Sequence, residues 1–413
     1  MPMLIVQSAP QPPKRKAPAR IGLAVAGGGP LGGMYELGAL RALDEAVTGL
    51  TLTDLDVYVG VSSGAFLAGG LASGIETAEM CRIFLTNDSQ HARFRPESFL
   101  RPALNEYLRR LFGLPRVIGG WLGDLITRPM DTDWSDIVGR LGTLVPNGIF
   151  DNQAIECFLR DVFTKHGLSN DFRKLRHPLY VIGVDLDTGN AVRFGGPGFD
   201  HVPISKAVQA SSALPGLYPP VEIDGRYYVD GALRRTMHAS VAFESGADLV
   251  IAVNPLVPFD ANLATINGRP VPENLIEGGL PAVLSQTFRT MLRSRMQVGL
   301  EKYQRQYPAA DLLLLEPNAD DVEMFFTNVF SYQNRVRVAE HAYQATLDDL
   351  RRNATAMAPL LARHGLALKS EVIKDNGHSL MQGLGLKPPR QTEASARLRR
   401  ALDQLDHQLS TRH

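Results

Sequence analysis

The sequence predicts an α/β fold in which a largely parallel sheet is covered by helices on both faces. Two observations carry this. Short continuous apolar runs rich in Val, Ile and Leu recur along the chain, and helix-like stretches separate them. Strands that are apolar throughout, rather than alternating with polar residues, belong to sheets buried on both sides. Predicted strands fall at 21–26, 57–61, 179–185, 191–194, 227–230, 249–254 and 312–315. Predicted helices between them fall at 33–47, 63–73, 152–165 and 204–213. This rhythm defines one layered domain over residues 21–255.

Three other regions depart from it. Residues 1–20 are Pro-rich, with four basic residues and no acidic ones, and read as a disordered tail. Their apolar run precedes the basic cluster, the reverse of a secretory signal. Residues 88–147 interleave arginines with apolar clusters such as Leu104, Tyr107, Leu108, Leu111 and Phe112, and read as a helical insertion. Residues 256–413 read as mostly helical. Leu280, Val283, Leu284, Phe288, Met291 and Leu292 mark one amphipathic helix, and Leu398, Leu402, Leu405 and Leu409 mark another. These helices are expected to dock on the core or on a second copy in a homo-oligomer.

Bulk composition narrows the function classes. The 413 residues carry 43 Lys+Arg and 43 Asp+Glu, so no net charge draws the chain to nucleic acid. Cys81 and Cys157 offer neither a disulfide framework nor metal-ligand spacing and read as buried thiols. No run reaches the roughly 18 apolar residues of a membrane span. The expected location is the cytoplasm, with peripheral membrane contact through 100–128 and 280–300.

The chemistry is concentrated in two glycine motifs. The run VGVSSGAFLAGG at 59–70 holds Ser62 in a Gly-x-Ser-x-Gly pattern between a strand and a helix. Such an elbow lifts one hydroxyl out of the sheet edge. Upstream, the first strand runs into Gly27-Gly28-Gly29-Pro30-Leu31-Gly32-Gly33. Backbone N–H groups at a helix start hold anions, so this loop could cradle a phosphate in a nucleotide- or ligand-binding α/β protein. It could equally form an oxyanion hole. The order, a glycine loop and then a serine elbow about thirty residues later, is that of acyl hydrolases. A nucleophilic serine needs a base. Asp230, in RYYVDGALRR, ends a β-rich run and could serve if it is partly desolvated. A plain Asp-Gly turn is the competing reading. A Ser-His-Asp triad with His378 as base is a further alternative.

The segments AVAGGGPLGGMYELGALRALDE, VYVGVSSGA, GVDLDTGNAVRF, AVQASSALPGLYPPVEIDGRYYVDGAL and GADLVIAVN together resemble the patatin-like phospholipase family over residues 21–255. The resemblance implies a three-layer α/β/α sandwich and a lipid acyl hydrolase with a Ser–Asp dyad. Ser62 would be the nucleophile, Asp230 the general base, and Gly27, Gly28, Gly29 and Gly32 the oxyanion loop. The implied partners are ester-linked fatty acyl chains, and neither an organic cofactor nor a metal is expected. One departure stands out. The family's loop carries a basic residue before its last glycine, where this chain has Leu31 after Pro30. Proline has no N–H, so donors must come from Gly28, Gly29 or Leu31. A non-catalytic scaffold of this family is therefore a further alternative. Ser211 and Ser212 read as structural support beneath the site, Asp185 and Asp187 as a strand end and turn, and His238 as a surface or packing residue.

Overall fold

A computed structural model of the chain describes residues 3–9, 18–89, 101–103, 147–165, 167–269, 275–327, 332–375 and 377–385, with isolated positions between 92 and 99. Nine strands form one sheet: β1 (Met3–Gln7), β2 (Ile21–Val25), β3 (Val57–Val61), β4 (Leu179–Asp185), β5 (Ala191–Phe194), β6 (Val221–Ile223), β7 (Arg226–Asp230), β8 (Leu249–Val253) and β9 (Asp311–Glu316). Their order is β1-β9-β8-β2-β3-β4-β7-β6, with β5 also paired to β4. The five central strands, β9 to β4, are mutually parallel. Antiparallel strands flank them on both sides.

Alternate residues of the central strands feed two separate cores. Leu23, Val25, Tyr58, Ile251, Val253, Leu313 and Leu315 face one core, which also takes up Leu37, Leu40, Leu43 and Tyr343. Those come from helices α1 (Gly29–Ala46) and α7 (Tyr332–Arg352). Ala24, Val57, Val59, Val250, Ala252, Leu312 and Leu314 face the other. That core is closed by Val241 and Phe243 of α5 (Ala239–Glu244) and by Met296, Leu300 and Tyr303 of α6 (Gly279–Gln306). Burial on both faces explains why these strands read as unbroken apolar runs. The result is the expected three-layer α/β/α sandwich, with a mostly helical region after it. The remaining helices used below are α2 (Ser63–Ala72), α3 (Gln153–Thr164) and α4 (Ile204–Ser211).

Three sequence expectations change. Met3–Gln7 is not a disordered tail, because it forms edge strand β1 against β9. The pairing is long-range, so no local composition rule could reveal it. The boundary at 255 does not divide the sheet, since β9 lies parallel to β8. Helix α1 begins at Gly29 rather than 33, with Pro30 in its first turn, where a missing N–H costs nothing. Cys81 is buried and its thiol is pushed up to about 12 by burial, whereas Cys157 is only half-buried. The apolar clusters at 104–126 and the leucines at 398–409 lie outside the described residues. Among the described residues, no helix is long and apolar enough to cross a membrane.

Candidate active site

Ser62 follows β3 directly and sits at φ 49°, ψ −121° as the cap of α2. Few non-glycine residues adopt such a backbone, and the strain costs on the order of 1–3 kcal/mol. The flanking glycines make the turn feasible. A Cβ on Gly60 would sit 2.5 Å from Ala65 Cα, and one on Gly64 would run into the carbonyl oxygens of Val25 and Ala26. The elbow therefore packs backbone on backbone between β2 and β3. Its amide, turned away from the sheet ladder, donates to Ser211 Oγ at 2.8 Å, and that hydroxyl donates to the Ile182 carbonyl at 2.6 Å. Ser211, at the C-terminal end of α4, thus satisfies a donor that burial would otherwise leave unpaired.

Register brings Asp230 to the same level. Val61 lies opposite Ile182, and the next residue of β4, Gly183, lies opposite Asp230. Ser62 and Asp230 consequently flank β4 at one height, at the carboxyl end of β3, on the side where open α/β sheets place their sites. Only 3% of Asp230 and 7% of Ser62 is exposed. The Asp230 carboxylate accepts from the Ala232 amide at 2.9 Å, and the Ser62 side chain lies beside it. The turn role and the place beside the serine thus coexist in one side chain. Burial pushes its carboxyl up to about 6, opposed by the Ala232 amide and the nearby Ser62 hydroxyl.

The glycine loop covers the elbow, and three of its amides are already engaged. The Gly27 amide donates to the Thr236 carbonyl at 3.3 Å and the Gly32 amide to the Gly28 carbonyl at 3.1 Å. The Gly28 amide donates to Ser63 Oγ at 2.9 Å. The N–H groups of Gly29 and Leu31 remain, in the first turn of α1, where no intrahelical acceptor exists. The amide of Ser63, first residue of α2, is placed likewise.

Other flagged residues have other duties. His378 pairs with Glu45 at 3.4 Å and lines a cavity of about 690 Å³ with Arg41, Asp44 and Glu371. Glu45 lies sixteen residues along α1 from Gly29, roughly 24 Å at 1.5 Å per residue. The structure therefore does not bring His378 to Ser62. His238 is buried rather than on the surface, in a left-handed conformation with φ 50°. Its ring lies near the Gly231 backbone, and burial holds it down at about 3. Asp185 organises its turn through the amides of Asp187 and Thr188 and pairs with Arg226 at 2.7 Å. Ser212 is buried, and its Oγ has no hydrogen-bond partner among the described residues. The sequence reading passed over Ser63 and Glu36. Glu36 could have been noticed as the one carboxyl within the run LGGMYELGAL.

These elements describe an α/β sandwich with a strained serine elbow and a buried aspartate beside it. The family model of patatin-like phospholipases matches residues 23–243, more than half of the chain, and the protein belongs to that family. Curated relatives include uncharacterized NTE family proteins of Mycobacterium bovis and Mycobacterium tuberculosis, each 34% identical over 77 residues. The match covers 19% of this chain and 20% of each relative's own length. Among solved structures, VipD from Legionella pneumophila is similar over 89% of this chain and 82% of its own, at 15% identity and TM-score 0.31. Human GIVD cytosolic phospholipase A2, in complex with methyl gamma-linolenyl fluorophosphonate and terbium chloride, is similar over 82% of this chain and 59% of its own, at 13% identity and TM-score 0.33.

Proposed function

We propose that the protein hydrolyses carboxylic ester bonds of lipids through a Ser62–Asp230 dyad. The placement of the buried Asp230 carboxylate beside the strained Ser62 elbow, at one height across β4, carries this reading. Asp230 takes the Ser62 proton as Oγ attacks the acyl carbonyl carbon. The negative charge that develops on the carbonyl oxygen is stabilised by free amides at the helix starts, those of Gly29 or Leu31 with Ser63. Collapse expels the alcohol, which takes the proton back from Asp230. A water molecule, deprotonated by the same carboxylate, then attacks the acyl-enzyme, releases the fatty acid and restores Ser62. The departures at Pro30 and Leu31 leave these backbone donors in place, which favours an enzyme over a scaffold.

The substrate is a lipid surface rather than a dissolved ester on this reading, with the protein cytoplasmic and peripheral to the membrane. Leu280, Val283, Leu284 and Met291 of α6 are exposed, which supports contact of that helix with lipid. The deciding test is hydrolysis of a nitrophenyl acyl ester, alone and in mixed micelles, by wild type and Ser62→Ala. Turnover that vanishes in the variant supports the dyad, and turnover that survives overturns it.

A further inference from the structure

Glu36 is a carboxyl with no bulk reason to be where it is. It lies on the inner face of α1 and is 0% exposed, with every residue from Leu31 to Leu40 buried around it. Among the described residues, no cation pairs with it. Its Oε1 has no hydrogen-bond partner, and its Oε2 accepts from Ser63 Oγ at 3.3 Å. Burying such a group with a single polar contact is costly, and a leucine would fill the same helix face without that cost. Burial drives the carboxyl strongly toward its protonated form.

What Glu36 touches is informative. Ser63 Oγ also accepts from the Gly28 amide, at 2.9 Å, the shorter of its two bonds. A hydroxyl rotor that accepts on one side is held in place by what it donates to on the other. The chain of contacts therefore runs from Glu36 to Ser63 to Gly28, from the interior of α1 to the glycine loop above Ser62. Resting on the dyad reading above, we propose that Glu36 is a positioning residue: its buried carboxyl orients the Ser63 hydroxyl, which pins the Gly28 amide and so fixes the pose of the loop that faces the developing oxyanion. This also accounts for Ser63 as the second serine of the motif.

The test uses the full chain with Glu36→Gln, Glu36→Ala, Ser63→Ala and the double variant Glu36→Ala/Ser63→Ala. Glu36→Gln keeps the acceptor and the shape, and should retain kcat within about threefold. Glu36→Ala and Ser63→Ala should each lower kcat by about 10–100-fold with KM unchanged, somewhat less than loss of an oxyanion donor itself. Because the two residues act in series, the double variant should be no worse than Ser63→Ala. A second readout does not depend on turnover: hydrogen exchange of the Gly28 amide should accelerate in Ser63→Ala and Glu36→Ala and stay slow in Glu36→Gln. Multiplicative losses in the double variant, or Gly28 exchange unchanged in Glu36→Ala and Ser63→Ala, overturn the proposal. If Glu36→Ala does not fold, Glu36→Gln and Ser63→Ala decide it: Gln as damaging as removal of the Ser63 hydroxyl also overturns it. If wild type itself turns over no ester, the dyad reading fails, and the exchange measurement still decides whether Glu36 positions the loop.

Discussion

Ser62, just after β3, and Asp230, at the end of the antiparallel strand β7, flank β4 at one height. Both residues are almost fully buried. The serine is held by a strained backbone whose amide rests on Ser211, and the aspartate by its own turn to Ala232. Two local structures are thus preset side by side, and bringing the hydroxyl to the carboxylate needs little further ordering.

Asp230→Asn should leave the fold intact, since an amide oxygen can still accept from Ala232, while removing the proton acceptor. We expect kcat to fall by about 10²–10⁴-fold, the usual contribution of a general base. Ester hydrolysis and near-UV circular dichroism of the variant check both halves. In wild type, kcat/KM should rise with pH through about 6, where the carboxyl loses its proton.

The same residue should leave a mark on stability. Its carboxyl goes from an ordinary 3.8 to about 6 in the folded protein. The folded state therefore holds a proton that the unfolded state releases, and stability falls as pH rises between about 4 and 6. A shift of two units corresponds to about 3 kcal/mol. Urea unfolding at pH 4 and pH 7 should show Asp230→Asn gaining on wild type by about that much at the higher pH. An equal difference at both values would mean that the carboxyl is ordinary in the folded state.

Ser211→Ala should act through the elbow. It strands the buried Ser62 amide and the Ile182 carbonyl, a loss of about 1–3 kcal/mol. Thermal unfolding should report that loss. Because the Ser62 backbone then relaxes, kcat should fall more than KM changes.

His378→Ala separates the dyad from a triad. The imidazole sits with Glu45 at the far end of α1, so turnover should stay within about twofold of wild type. A triad enzyme would lose nearly all activity on losing its base.

The amino-acid sequence determined the parts of this protein that obey local rules. The central strands were legible because residues buried on both faces must be apolar without interruption, and the elbow because glycines must flank a turn that packs backbone against backbone at Gly60 and Gly64. Only the tertiary structure decided which groups meet. Register across Gly183 is what brings Asp230, which the sequence could only nominate, to the level of Ser62. The same long-range pairing draws Met3–Gln7 into the sheet edge. It commits the Gly28 amide to Ser63. It also seals Glu36 inside with one polar neighbour. Strand register and burial depend on residues far apart in the chain, so their consequences for a hydroxyl, an amide or a carboxyl have no signature in the residues beside it.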